Sequence, residues 1–248
     1  MEINSLVTRN KYNNDIIFRI IDIKDNRVML KGEVVRLIAD AEINDLRLFS
    51  LEEKKKVFLP KLKEEENVIK GKVLHIDGDE YYLKKAIDTY SKYNINAIGY
   101  FIKENEMPYK IEELLKKHHP DIVVITGHDA YYSNKDKFDI NSYKNSIYYV
   151  ESVKKARVFN SNKDDLIIIA GACQSYYEKL IEEGANFASS PTRSNIHLLD
   201  PIIIASFISN YRINEKIDIE YILSNTISKS LGGIESKGKA RKIFVGEK

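Results

Sequence analysis

Hydrophobic positions change their rhythm near residue 50. Residues 15–23 (DIIFRIIDI) and 27–30 (RVML) are short β-rich runs joined by Lys24, Asp25 and Asn26, a turn composition. Residues 33–39 (EVVRLIA) read as a third run. Several short strands in so few residues predict a small SH3-like β-barrel or meander over residues 1–50. Residues 50–70 are dense in Lys and Glu and broken by Pro60. They read as a solvated linker or surface helix. The chain therefore divides into a barrel module (1–50), a charged linker (51–71) and a main domain (72–248).

From Lys72 onward, apolar runs alternate with helical spacing. Residues 73–76 form a run that ends at Asp77, Gly78 and Asp79, a turn and helix-cap composition. Tyr82, Leu83, Ala86, Ile87 and Tyr90 then recur on one helical face. Residues 97–102 predict a strand, 111–118 a short helix stopped by Pro120, and 122–125 a strand ending at Gly127 and His128. Residues 142–157 predict a helix, and 166–170 a strand ending at Gly171, Ala172 and Cys173. A further helix closes on Gly184, residues 186–189 fit a fifth strand, and Asp200 with Pro201 reads as a cap with proline at the first helical position. The alternation argues for an α/β domain, a mostly parallel sheet covered by helices on both faces. The unbroken apolar runs at 122–125 and 166–170 suit strands buried on both sides.

Composition narrows the function classes. The 39 basic residues are balanced by 37 acidic ones, so the chain is a poor polycation and no nucleic-acid partner is expected. No apolar run approaches the length of a membrane span, and residues 1–14 hold no hydrophobic leader. Neither a membrane partner nor a secretory route is expected. A single cysteine excludes a disulfide framework within the chain and a multi-cysteine zinc site. His118 and His119 precede Pro120 at a helix end, where cations are favoured, so no metal and no cofactor is expected.

In an open α/β sheet, ligands bind beyond the carboxyl ends of the strands. His128 and Cys173 both lie there, each after a buried strand and each followed by polar residues. If the two strands are neighbours, both side chains reach one substrate. A thiol nucleophile needs a partner that carries a proton to the leaving amine, and imidazole suits that at neutral pH. Either residue alone would be mundane: a lone cysteine after an apolar strand also fits a small buried hydrophobe.

Ala172, Cys173 and Gln174 match the core of the caspase signature, with His128 lying 45 residues upstream (173 − 128). Caspase-like peptidases share an apolar block before His-Gly and another before Ala-Cys. This sequence resembles both but carries Gly127 before the histidine and Asp129 after it. A closer resemblance covers nearly the whole chain: it is similar to the YabG family of sporulation-specific proteases of spore-forming Firmicutes. Its carriers are residues 34–40 (VVRLIAD), 71–79 (GKVLHIDGD), 124–130 (VITGHDA), 170–175 (AGACQS), 184–191 (GANFASSP) and 231–235 (LGGIE). The resemblance implies a caspase-like cysteine peptidase with Cys173 as nucleophile, His128 as its partner, and the backbone N–H groups of Cys173 and Asp129 as donors to the developing oxyanion. It implies spore coat and germination proteins as substrates, cuts after basic residues, self-cleavage, and action in the cytoplasm of the sporulating cell in association with the coat.

A pocket for Arg or Lys needs a buried carboxylate. Asp77, Asp79 and Asp129 lie at the same strand edge; Asp77 and Asp79 also fit helix capping, and Asp129 could orient His128. The loop holding Ser190 and Arg193 fits a substrate-binding segment as well as a plain structural loop, and Arg193 is a candidate self-cleavage site. His75 lies inside a strand and reads as a core residue. Gly232, Gly233 and Gly238 with neighbouring Lys and Arg read as a mobile basic tail rather than a phosphate loop. Two rival functions remain, a thiol amidase acting on a small molecule and a non-catalytic coat-assembly protein.

Overall fold

The fold is described from a computed structural model, covering residues 1–50, 59–62, 69–132, 134–189, 191, 195–211, 217–228 and 234–236. The chain forms two compact units, Met1–Leu59 and Pro60–Lys248.

The first unit is a five-stranded antiparallel sheet: β1 (Leu6–Arg9), β2 (Phe18–Lys24), β3 (Arg27–Gly32), β4 (Ile38–Glu42) and β5 (Leu46–Leu48). Its order is β4-β3-β2-β1-β5, so among the described residues the hydrogen bonding leaves β4 and β5 as edges instead of closing a ring. Val7, Phe18, Ile20, Val28, Leu30, Ala41 and Leu46 make its core. The third run falls later than its apolar pattern suggests. Residues 33–37 are the turn between β3 and β4: the Gly32 N–H donates to the Leu37 carbonyl, and Glu33 is buried against Arg19 at 2.8 Å. That pairing overrides local propensity.

The second unit carries β6 (Val73–Asp77), α1 (Glu80–Lys92), β7 (Ala97–Phe101), α2 (Met107–His118), β8 (Ile122–Thr126), α3 (Ser146–Phe159), β9 (Ile167–Ala170), α4 (Tyr177–Glu182), β10 (Phe187–Ser189), α5 (Asp200–Asn210), α6 (Ile219–Ser224) and β11 (Ile234–Ser236). Its sheet runs β11-β10-β9-β8-β6-β7, parallel from β7 to β10. Alternate strand residues feed two cores. Val123, Ile125 and Ile168 join residues of α2 and α3 on one side. Ile122, Val124, Ile167 and Ile169 join α1, α5 and α6 on the other.

Several details differ from the sequence expectations, and the helix expected over 142–157 spans Ser146–Phe159. The helix expected from residue 111 begins at Met107, because Pro108 fits a first turn, where no N–H is needed. Asp200 is not the cap of α5, a place taken by Leu199. Its buried carboxylate instead accepts the Ile227 N–H at 2.8 Å and fixes the chain after α6. Within the expected basic tail, Ile234–Ser236 pairs antiparallel with β10. The remainder of that tail, most of the charged linker, Ser190 and Arg193 lie outside the described residues. Among the described residues, no helix is long and apolar enough to cross a membrane.

Candidate active site

Strand order creates the crevice. After β6 the chain adds β7 on one side, then crosses back to place β8 on the other. The connections leaving β6 and β8 therefore diverge at their carboxyl ends, the place where open α/β sheets bind ligands. Pairing aligns Asp77 with Thr126, and Ile125 with Ala170. Asp79 and His128 each follow the first of these pairs by two residues, and His128 and Cys173 each follow the second by three. Three chemical groups thus leave three adjacent strands in the order carboxylate, imidazole, thiol.

The first two are in contact. His128 Nε2 lies 2.8 Å from Asp79 Oδ2. The other Asp79 oxygen caps α1, accepting the N–H groups of Tyr81 at 3.0 Å and Tyr82 at 3.2 Å. One oxygen of Asp79 thus caps the helix, as the sequence allowed, while the other meets the imidazole, a contact the sequence did not foresee. An ionised carboxylate only accepts, so the imidazole proton sits on Nε2 and the lone pair on Nδ1. Nδ1 is buried with no hydrogen-bond partner among the described residues. The ring rests against Tyr82, with centroids 5.5 Å apart.

Asp129 does not orient His128. Its buried carboxylate accepts from the Ala130 and Asn145 N–H groups, both at 2.8 Å, and from the hydroxyls of Ser146 at 2.5 Å and Ser175 at 2.9 Å. Burial raises its pKa against these four bonds, which favour the anion. Ser175 Oγ also accepts the Ala172 N–H at 2.9 Å. One carboxylate thereby ties the loop after β8 to the start of α3 and to the loop holding Cys173. Asp77, fully buried, accepts from the Asp79 N–H at 2.9 Å and the Thr126 hydroxyl at 3.1 Å. His75 is buried beside it, 3.1 Å from both Thr126 Oγ1 and Tyr90 Oη.

Cys173 is 1% exposed. The Ile196 N–H donates to its sulfur at 3.4 Å, and the thiol lies 3.7 Å from the Ile196 carbonyl. Gln174, next in sequence, adopts a left-handed φ of 65°. Its side-chain carbonyl accepts the Tyr131 N–H at 3.2 Å, a second tie between the two loops.

Three residues of the site were not anticipated from sequence, one of them Asn145, whose Nδ2 donates to the His128 carbonyl at 2.7 Å. Glu104 accepts the His128 N–H at 2.8 Å. Tyr149 donates its hydroxyl to the His128 carbonyl at 3.0 Å. The available signal was the glycines: a Cβ at Gly78 would stand 2.2 Å from Glu104 Oε1, and one at Gly127 would stand 2.5 Å from that atom and 2.6 Å from Tyr149 Oη. Glycine at both places admits groups that approach the strand ends closely.

His197 borders the segment that covers the sulfur. Burial, aided by Lys85, lowers its pKa to about 4. The unfolded chain takes up this proton near pH 6.5 and the folded one only near 4, so stability is lost as pH falls through that window. The loss reaches about 3 kcal/mol, less what residual solvation returns. Asp129 and Asp200, both raised by burial, titrate in the opposite sense, so a difference between variants isolates the histidine. Denaturant unfolding from pH 7 to 4 should show His197→Asn keeping stability that the parent loses; parallel curves would refute this.

The family model described as YabG peptidase U57 matches residues 2–69 and 53–245. The chain is a peptidase by descent and belongs to that family. It is also 41% identical, over 279 aligned residues, to the sporulation-specific protease YabG of Bacillus subtilis (strain 168). That alignment covers 97% of this chain and 96% of the relative. No solved structure matches the chain.

Proposed function

We propose that this peptidase is a cysteine endopeptidase of sporulation, with Cys173 as nucleophile, His128 as acid and base, and Asp79 as the group that orients the imidazole. The observation that carries the reading is the row of Asp79, His128 and Cys173 beyond adjacent strands, with His128 Nδ1 left unbonded among the described residues. Nδ1 takes the thiol proton, and the sulfur bonds to the scissile carbonyl carbon while the π pair moves onto oxygen. The resulting oxyanion is received by the N–H groups of Cys173 and Asp129. When the oxygen pair re-forms the carbonyl, the C–N bond breaks and the amine leaves with the proton held on His128. Water, giving a proton to Nδ1, then cleaves the thioester and the thiolate is reprotonated.

Ile196 presents a backbone N–H and a carbonyl to the sulfur, and a peptide substrate offers the same pair of groups. Displacing this cover is thus an exchange of like for like, and self-cleavage after Arg193, three residues upstream, would release it. A preference for cutting after basic residues fits the carboxylates at the rim, Asp77, Asp79, Asp129 and Glu104. Only Glu104 is half-buried and retains an oxygen with no donor among the described residues. Likeness to a sporulation-specific protease supports a role in sporulation; spore coat and germination proteins as substrates, met in the cytoplasm of the sporulating cell, belong to the proposal itself.

An arginyl chloromethyl ketone should add once to the chain, on Cys173 by peptide mapping, and remove proteolysis in proportion to labelling. Full activity after complete labelling, or an adduct elsewhere accompanying the loss, would overturn the assignment. Turnover of small amides without any protein cleavage would favour an amidase instead.

A further inference from the structure

We propose that Tyr149 and Asn145 are positioning residues for the oxyanion donor, acting through the peptide bond that joins His128 to Asp129. This inference rests on the cysteine-peptidase reading. The Asp129 N–H has no acceptor among the described residues, whereas the carbonyl of the same peptide unit has two donors. Asn145 Nδ2 lies 2.7 Å from the His128 oxygen and Tyr149 Oη lies 3.0 Å from it.

A trans peptide is planar, with its C=O and N–H pointing in opposite directions. Two donors that hold the oxygen therefore fix where the N–H points. They also draw charge toward that oxygen, which makes the N–H a stronger donor. Neighbouring bonds remove the remaining freedom. Glu104 holds the His128 N–H on one side, and the Asp129 carboxylate is held by the Ala130 and Asn145 amides on the other. Both positioning residues come from the start of α3: Asn145 immediately precedes it, and Tyr149, one turn in, is fully buried in the core. The arrangement provides a rigid mount for one amide.

Deleting a direct oxyanion donor costs about 10²–10³ in kcat. An indirect mount should give less, roughly tenfold for each of Tyr149→Phe and Asn145→Ala. KM for a peptide substrate should stay within about twofold, because the ground-state carbonyl makes little use of the hole. The inhibition constant of a peptide aldehyde should rise by the factor that kcat loses. The sulfur bonds to the aldehyde carbon, its proton passes to His128 Nδ1, and the π pair moves onto the carbonyl oxygen, which then needs the same donor. Alkylation of Cys173 by iodoacetamide forms no oxyanion and should keep its rate. A merely structural lesion would slow alkylation together with kcat, and that result overturns the proposal. Unchanged kcat and aldehyde inhibition in both variants also overturn it, while loss of cleavage in Cys173→Ala leaves the wider reading standing. If Cys173→Ala cleaves normally, both readings fall. Tyr149→Phe removes a single oxygen and keeps the ring, so it decides alone if Asn145→Ala does not fold.

Discussion

Cys173→Ala should abolish peptide-bond cleavage, a fall of about 10⁶ in kcat, the size found when the nucleophile of a comparable catalytic unit is removed. The same substitution should hardly disturb the fold. The sulfur is buried and touches the Ile196 backbone, so its removal leaves a cavity of methyl size and costs about 1 kcal/mol. The two effects separate the catalytic reading from the plain one, in which a lone cysteine fills space after a strand. Space filling predicts the small stability loss and unaltered proteolysis. Mass spectrometry of a digested peptide mixture, with a melting curve on the same preparation, measures both quantities. Cleavage at the parent rate by Cys173→Ala would leave the nucleophile unassigned.

Local pattern revealed the parts of the fold that packing makes uniform. Ile122–Thr126 and Ile167–Ala170 are buried on both faces, so every position is under the same pressure and the apolar run is unbroken. Residues 33–37 of the expected third run misled for the opposite reason. Their apolar character serves a turn shaped by Gly32 and by the Glu33–Arg19 ion pair, neither of which is a local signal. In the site, His128 and Cys173 were visible because the strands leading to them were. The role of Asp79 depended on strand order. Residues 97–102 read as a strand of the same kind, and only the crossover past β6 puts Asp79, rather than the end of β7, beside the imidazole. Glu104 and Tyr149 come from other segments, and sequence registered them only as missing side chains at Gly78 and Gly127.

Asp79→Asn should reduce kcat by roughly 10²–10⁴ while leaving α1 capped and the melting temperature close to the parent's. Asparagine caps a helix as well as aspartate does, and its single oxygen can keep the Tyr81 and Tyr82 N–H groups. The amide nitrogen then replaces the oxygen that faces His128 Nε2. Two N–H groups cannot share that contact, so Nε2 becomes the acceptor and the proton moves to Nδ1. The nitrogen meant to receive the thiol proton is then already occupied. The lesion is one of tautomer rather than of structure, and it should appear in kcat with little change in KM. Asp79→Ala removes both the cap and the orienting oxygen and should additionally destabilise the chain by about 1 kcal/mol. Nitrogen-15 spectra of the imidazole in the parent and in Asp79→Asn read the proton's location directly. A parent ring protonated on Nδ1, or an Asn variant with parental kcat, would remove Asp79 from the site and leave it only a helix cap.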